Sequence, residues 1–465
     1  MRDSEKVIRK IQDAGGEAFL VGGCVRDAIM GRSPHDEDIA TSMSSEEVMS
    51  LFADCRVIGT GLKHGTVTVV YDDTPFEITT YRKDGKYSDG RHPDSVMRAG
   101  SIEEDLSRRD LTMNAIAFDP VSGRYVDPFG GMEDIRRGII RCVGNPDDRF
   151  REDALRMMRT VRFACTTGMS VDEDAIRAIA RNSRLISRVS NERIASELNR
   201  ILMSDRCAEG FLMLRETGIL KEILPEIDIL FDTQQNNPHH IYDVGMHTME
   251  ALRNTPEDLI TRLAVLFHDA GKPSVKTTSA DGIDHFYGHY EASGEIAGSA
   301  LSRLRFPRKV ISEVNWLVRM HEMRPLPDRK HLARFIVRHP CGRDTLLRLS
   351  AVMTADCLGQ NPAKWETELP VCDARRDIIE EITSGAWQEK DLAINGSDIL
   401  SVTQTSKGKP LYIDQTEVGG IKKRLLADVI EHPEHNTRKH LMRQVPAFAG
   451  QQKRKEKRKN GREER

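Results

Sequence analysis

Continuous apolar runs rich in Val, Ile and Thr cluster in the first third of the chain, at 18–21, 65–71, 76–81 and 115–119, with helix-like stretches between them. Runs of that length and composition predict strands. Beyond about residue 145 such runs nearly vanish, and at 154–165, 192–203 and 259–267 apolar residues recur at intervals of three and four. That period predicts amphipathic helices. The fold class expected is therefore α+β, a small α/β head followed by an elongated all-α remainder. No internal repeat of fixed period interrupts this division.

Composition adds limits. At 465 residues the chain exceeds what one core holds, so several domains are expected. Hydrophobic residues at 38% and charged residues at 30% are those of a soluble globular protein. No apolar run reaches the ~18 residues that a membrane span needs. The opening MRDSEKVIRK carries charge instead of the apolar centre of a secretory signal, so a cytoplasmic location is expected. Cysteines 24, 55, 142, 165, 207, 341, 357 and 372 are scattered with no CxxC pair, which predicts free thiols and neither a disulfide framework nor a zinc ribbon. Net charge is −3, but residues 453–465 hold eight basic and three acidic residues, leaving the rest near −8. Contact with a polyanion must therefore come from a local basic face or from this tail.

The densest chemistry lies in Val21-Gly22-Gly23-Cys24-Val25-Arg26-Asp27, followed by Asp36-Glu37-Asp38. A strand ending at Val21 and a helix opening near Cys24 would bring two small residues to where a triphosphate can approach backbone N–H groups, within reach of Arg26. Asp36 and Asp38, one residue apart, would face the same side of an extended strand and share divalent ions. Two-ion phosphoryl transfer uses such a pair to activate a hydroxyl and stabilise the leaving group. A glycine turn before a solvated acidic loop would look the same in isolation.

The motifs that follow in order narrow the choice: Asp105-Leu-Ser-Arg-Arg109-Asp110-Leu-Thr-Met-Asn114, Asp127-Pro-Phe-Gly-Gly131, and Arg149-Phe-Arg-Glu152-Asp153-Ala-Leu-Arg156-Met-Met-Arg159-Thr-Val-Arg162. Over roughly residues 18–205 the chain resembles the class II nucleotidyltransferases, the family of CCA-adding enzymes and bacterial poly(A) polymerases. The resemblance implies addition of C, C and A, or of the terminal A, to the tRNA 3′ end from CTP and ATP, with Mg2+ held by the catalytic carboxylates Asp36 and Asp38. It further implies that Gly22, Gly23 and Arg26 hold the triphosphate, and that Arg109, Asp110 and Asn114 contact sugar and phosphates. Glu152, Asp153 and Arg156 resemble the family's amino-acid template for the incoming base, with Arg159 and Arg162 following at helical spacing. The chemistry is direct. Asp153 can accept from an exocyclic amine and Arg156 can donate to a ring nitrogen, a pattern that C and A offer and U and G reverse. Each wrong contact would leave a buried polar group unpaired at ~1–3 kcal/mol. The full-length segment at 81–101, which members adding only two cytosines lack, favours an enzyme that also adds adenosine. Ser190-Asn-Glu-Arg193 resembles the family's last motif, with Ser190 or Asn191 as a helix N-cap.

A second pattern lies further on: His247, then His268-Asp269 after an apolar helix, then Asp356. This looks like the HD phosphohydrolase superfamily, whose metal ligands would map onto His247, His268, Asp269 and Asp356. His289 and His321 match further histidines of its two-metal members. Mixed imidazole and carboxylate ligands suit a transition metal such as Mn2+ or Ni2+ better than structural zinc. The expected domains are a nucleotidyltransferase head at 1–140, a helical neck and body at 141–235, an HD-type domain at 236–360 opening at the turn 236–238, a tRNA-binding helical tail at 361–450, and the basic tail at 451–465. Segment 392–398 resembles a tail element of relatives, but the polar stretch 401–420 departs from their pattern. A poly(A) polymerase, and an HD phosphohydrolase or phosphodiesterase acting on nucleotides or RNA ends, are the alternatives.

Overall fold

The computed structural model describes residues 3–449 apart from 35, 60, 63–64, 86–94, 238–240 and 406. The middle of the segment at 81–101, Pro238 of the expected turn, the first two residues and the basic tail lie outside the described residues. The chain forms two compact units, one made of the residues up to Asp232 together with Ser299–Pro307, the other of Thr233–Gly298 and the residues from Arg308 onward.

The first unit is built on seven strands, β1 (Ala18–Val21), β2 (Asp38–Thr41), β3 (Arg56–Ile58), β4 (Thr66–Tyr71), β5 (Thr74–Thr80), β6 (Ala117–Asp119) and β7 (Arg124–Val126). Their order in the sheet is β3-β4-β5-β2-β1-β6-β7. One face packs Leu20, Ile39, Val67, Val69 and Ile78 against Val7, Ile8 and Ile11 of the Asp3–Asp13 helix. The opposite face packs Phe19, Val21, Ala40 and Ala117 against Tyr81, Ile102 and Leu106. Burial on both faces explains why β1 reads as a continuous apolar run without alternation. Each such side chain contributes roughly 1.5–3 kcal/mol.

Two boundaries differ from the sequence pattern. The run at 76–81 belongs to a strand that starts at Thr74, because Asp72 and Asp73 adopt φ of 46° and 64° and close a two-residue hairpin with β4. The positive φ values suit the right-handed twist of paired strands. The run at 115–119 forms a strand only from Ala117, since Thr112–Asn114 is a 3-10 turn in which Ala115 N donates to Thr112 O.

Helices follow as the periodicity predicts, at Leu155–Thr167, Asn191–Leu202 and Leu259–Phe267. Ser190 is the N-cap residue of the second of these, though its side chain makes no capping bond. The second unit centres on the helices Val244–Arg253, Leu259–Phe267 and Arg343–Gly359. All eight cysteines are free, and six are buried. Among the described residues no helix is long and apolar enough to cross a membrane.

Candidate functional site

In the first unit a cavity of about 630 Å3 opens beside the Asp38 end of β2, within the range of small-molecule sites. Gly22 turns the chain out of β1 at φ 77°. A side chain there would be strained, and its Cβ would come within 3.2 Å of Arg109 Nη1. The helix that opens at Gly23 ends at Ile29, so its short dipole adds little, and the anion-facing groups are the Gly22-Gly23 backbone and Arg26. Arg26 is aimed by three neighbours. Its Nη1 donates to Asn114 Oδ1 at 2.8 Å, its Nε donates to Asp27 Oδ1 at 2.9 Å, and its guanidinium lies 5.0 Å from the Phe163 ring.

β2 begins at Asp38, whose side chain reaches the cavity. Asp36 lies in the exposed loop just before the strand and does not line the cavity, so the expected pairing on one extended strand is only half realised. A residue not singled out from the sequence completes the acidic edge. Glu77 of β5 sits directly across from Asp38 in the parallel register. Enclosure, the like charge of Glu77 and then that of Asp36 raise the Asp38 carboxyl, while Arg109 opposes them. Crowded carboxylates of this kind suit a divalent cation. Phe76-Glu77-Ile78 alternates buried apolar with exposed charge, an ordinary strand pattern that by itself did not single out Glu77.

Arg109 is held by buried Asp105, whose Oδ2 accepts from Nη2 at 3.2 Å. Asp110 lines the cavity but is committed to scaffolding. It accepts from Asn114 Nδ2 at 3.1 Å, from Leu111 N at 2.9 Å and from Arg159 Nε at 2.8 Å. Burial would raise its carboxyl, yet Arg159 and Asn114 outweigh that and hold it at about 2. Arg162 is likewise tied, donating from Nε to Glu197 Oε2 at 2.6 Å in a buried pair, with its guanidinium 3.8 Å from the Phe163 ring. Arg156, Arg159 and Arg162 all line the cavity, as their spacing predicts.

Asp153 breaks the helical path. Pro146–Glu152 stops there, Asp153 is extended at φ −146°, and its Oδ1 accepts from Leu155 N at 3.0 Å to start the next helix. Arg193 clamps the same carboxylate from two nitrogens, at 2.6 and 3.3 Å. Arg156 donates from Nη1 to Glu152 Oε2 at 2.6 Å and from Nη2 to Arg108 O at 3.0 Å. Glu152 does not itself line the cavity and acts on the site by holding Arg156. Arg108, Phe163, Arg193 and Arg200 line it without having been expected to.

Comparison with known proteins shows what this part of the chain is similar to. Residues 18–141 match the poly A polymerase head domain, and residues 168–230 match the probable RNA and SrmB-binding site of polymerase A. The two matches together cover less than half of the chain, and both are regions of poly A polymerase. A CCA-adding enzyme of Geobacillus kaustophilus is 50% identical over 213 residues, 46% of this chain and 52% of that protein. One of Ligilactobacillus salivarius is 45% identical over 215 residues. The chain thus spans about half the length of the curated relatives it matches. In three dimensions the chain resembles the Bacillus stearothermophilus CCA-adding enzyme in complex with CTP, with 28% identity, 98% of each chain covered and a TM-score of 0.68. The Thermotoga maritima CCA-adding enzyme complexed with tRNA shares the fold at 18% identity, with a TM-score of 0.60 over 95% of this chain and 94% of that one.

The second unit holds its own cluster, separate from the class II motifs. His247, His268, Asp269, His289, His321 and Asp356 are all buried and converge on one another. His247 Nε2 lies 3.1 Å from His268 Nε2 and 3.2 Å from Asp356 Oδ1, and His289 Nε2 lies 3.4 Å from His321 Nε2 and 3.3 Å from Asp269 Oδ1. The outer nitrogens explain the inner ones. His268, His289 and His321 each point Nδ1 at a backbone carbonyl, of Val265, Phe286 and Val318, at 2.6, 2.9 and 2.6 Å. Nδ1 therefore carries the proton and the Nε2 lone pairs face inward. The Leu259–Phe267 helix ends as expected just before His268 and Asp269, which frees both side chains to turn to the same centre. Burial and the neighbouring His268 depress His321 to about 3, so it stays neutral. The Nε2 lone pairs of His289 and His321, facing each other at 3.4 Å, repel unless a cation lies among them, so this donor set fits metal ions. Lys272 and Arg324 border the cluster and pair with Asp269 and Asp356 respectively.

Proposed function

We propose that this protein adds C, C and A to the 3′ end of tRNA, using CTP and ATP. The observation that carries this reading is the first-unit cavity, which gathers Gly22, Gly23, Arg26, Asp38 and Arg109 from the head with Asp153 and Arg156 from the helix junction. The resemblance to the CTP-bound relative supports it.

In this reading the Gly22-Gly23 backbone and the Arg26 and Arg109 guanidiniums bind the triphosphate, and Asn114, aligned by Asp110 and Arg26, reaches the sugar. Asp38 and Asp36 would hold Mg2+, with Glu77 across from Asp38. When bound, Mg2+ neutralises the phosphates and lowers the pKa of the attacking 3′ hydroxyl. Asp153 accepts the exocyclic amine of C or A, and Arg156 donates to the adjacent ring nitrogen. The clamps on both side chains, Arg193 on the first and Glu152 on the second, keep them aimed before a nucleotide arrives. Arg159 and Arg162 hold the scaffold through Asp110 and Glu197. The proposed division runs from a head at 1–140 through a neck and body at 141–235 to an HD-type domain at 236–360 and a helical tail at 361–450. The decisive experiment incubates the protein with tRNA truncated at the discriminator base, Mg2+, and CTP and ATP singly and together. Extension by three nucleotides ending in A supports the reading, whereas a long A tract would make the protein a poly(A) polymerase.

The second cluster favours an additional reading, an HD-type phosphohydrolase site. His247, His268 and Asp356 form one ligand group and Asp269, His289 and His321 another, a donor set for Mn2+ or Ni2+. Held by these residues, the ions would supply Lewis-acid chemistry for phosphoester hydrolysis. Lys272 and Arg324 line the adjoining cavity of about 240 Å3, where they would attract the phosphate.

A further inference from the structure

Asp428, His435 and His440 come from three successive pieces of chain. Asp428 is in the last turn of the Gln415–Glu431 helix, His435 ends the 3-10 turn Pro433–His435, and His440 lies in the helical residues 438–449 that follow. One ligand atom from each lies within 4.8 Å of the others, and all three residues are half-buried. Their neighbourhood is rigid. Asn436, between the two histidines, accepts from Ala393 N at 2.8 Å and donates to Asp391 O at 2.9 Å, which pins the turn.

The three side chains do not satisfy one another. Asp428 Oδ2 accepts from His435 Nδ1 at 2.9 Å, but His440 Nε2 stops at 3.7 Å from the same oxygen, too far for a hydrogen bond. His440 Nε2 instead accepts from Gln444 Nε2 at 3.4 Å. Two imidazoles thus face one carboxylate oxygen, and only one is bonded to it.

We propose that Asp428, His435 and His440 form a divalent transition-metal site that staples the Gln415–Glu431 helix to the segment after it. Two imidazoles and a carboxylate are borderline ligands that favour Zn2+, Co2+ or Ni2+ over Mg2+ or Ca2+. Ligand distances of about 2.0–2.2 Å satisfy all three groups at once, where the hydrogen bond satisfies two. The amide of Gln444, turned to present its oxygen, is the fourth ligand. The rings are now stacked, with centroids 3.9 Å apart and planes 14° from parallel, so binding fans them open until both lone pairs meet the ion. The site is independent of the HD-type reading, because it shares no residue with that cluster.

The test strips the full-length protein with chelator, adds Zn2+ alone, and counts ions retained by wild type, by His435→Gln/His440→Gln and by His440→Ala. Both variants are expected to hold one Zn2+ fewer than wild type. Co2+ in place of Zn2+ should lose its tetrahedral visible bands in the variants. His440→Ala serves where the double variant does not fold, since it removes no hydrogen bond to Asp428. A folded variant that retains as many Zn2+ ions as wild type overturns the proposal. A count lowered only by His268→Ala/Asp269→Ala, with no change in the tail variants, overturns it equally and leaves the HD-type reading standing.

Discussion

Arg193→Ala is the sharpest probe of the proposed base-reading pair. Arg193 holds Asp153 through two N–H groups at 2.6 and 3.3 Å, and the two side chains are only 25% and 16% exposed. Charge-assisted bonds of this kind contribute about 1.5–3 kcal/mol, and partial solvent screening brings the expected loss to roughly 1–2 kcal/mol. At 1.4 kcal/mol per factor of ten, discrimination for C and A over U and G should fall roughly 5- to 30-fold. The Leu155 N bond to Asp153 survives the substitution, so the helix junction keeps its path and the loss lies in orientation. Arg193→Lys should give an intermediate value, since an ammonium cannot reproduce the fork. The assay compares kcat/KM for single additions of each nucleotide triphosphate to tRNA lacking its last residue. The reasoning fails if Arg193→Ala leaves the ratio unchanged while Asp153→Ala collapses it, which would mean that Asp153 is aimed by something else. If neither changes it, Asp153 does not read the base.

Other expectations follow from the same geometry. Asp36→Ala and Asp38→Ala should each reduce nucleotide addition to background while tRNA binding persists in a gel-shift assay, and addition near the wild-type rate in either would remove that residue from metal binding. Asp110, held at about 2 by Arg159 and Asn114 against an ordinary 3.8, contributes stability that is present above about pH 4 and lost as pH falls towards 2. A depression of that size corresponds to about 2 kcal/mol, so denaturant titrations should show Asp110→Asn lacking that part of the acid dependence, and an unchanged slope would contradict it. His268→Ala/Asp269→Ala should remove metal and any phosphohydrolase activity from the second unit while leaving nucleotide addition intact. Metal analysis showing no ion lost, or loss of addition in a folded variant, would refute the separation of the two sites.

Much of this was legible in the chain itself. The apolar run of β1, the glycines after it and the three- and four-residue periodicity of Leu155–Thr167 are local properties, set by backbone sterics and by which side chains can face a core, so the sequence alone determined strand, turn and helix there. The ordered motifs likewise named most of the cavity's lining, Gly22 through Arg162, and the apolar helix before His268-Asp269 marked where two polar residues would leave it together. Partnerships across the fold were not legible. Glu77 faces Asp38 only because β5 pairs in parallel with β2, and Arg193 meets Asp153 only because two helices forty residues apart in sequence pack together. Asp110 and Arg162 carry the residue types of nucleotide ligands, and the tertiary structure makes them braces by supplying Arg159 and Glu197 as partners, whereas Glu152 meets Arg156 through local i,i+4 spacing. The reason is physical. A charged side chain has no fixed role until its desolvation is offset by a specific neighbour, and which neighbour arrives depends on strand register and helix packing, neither of which is written in local sequence.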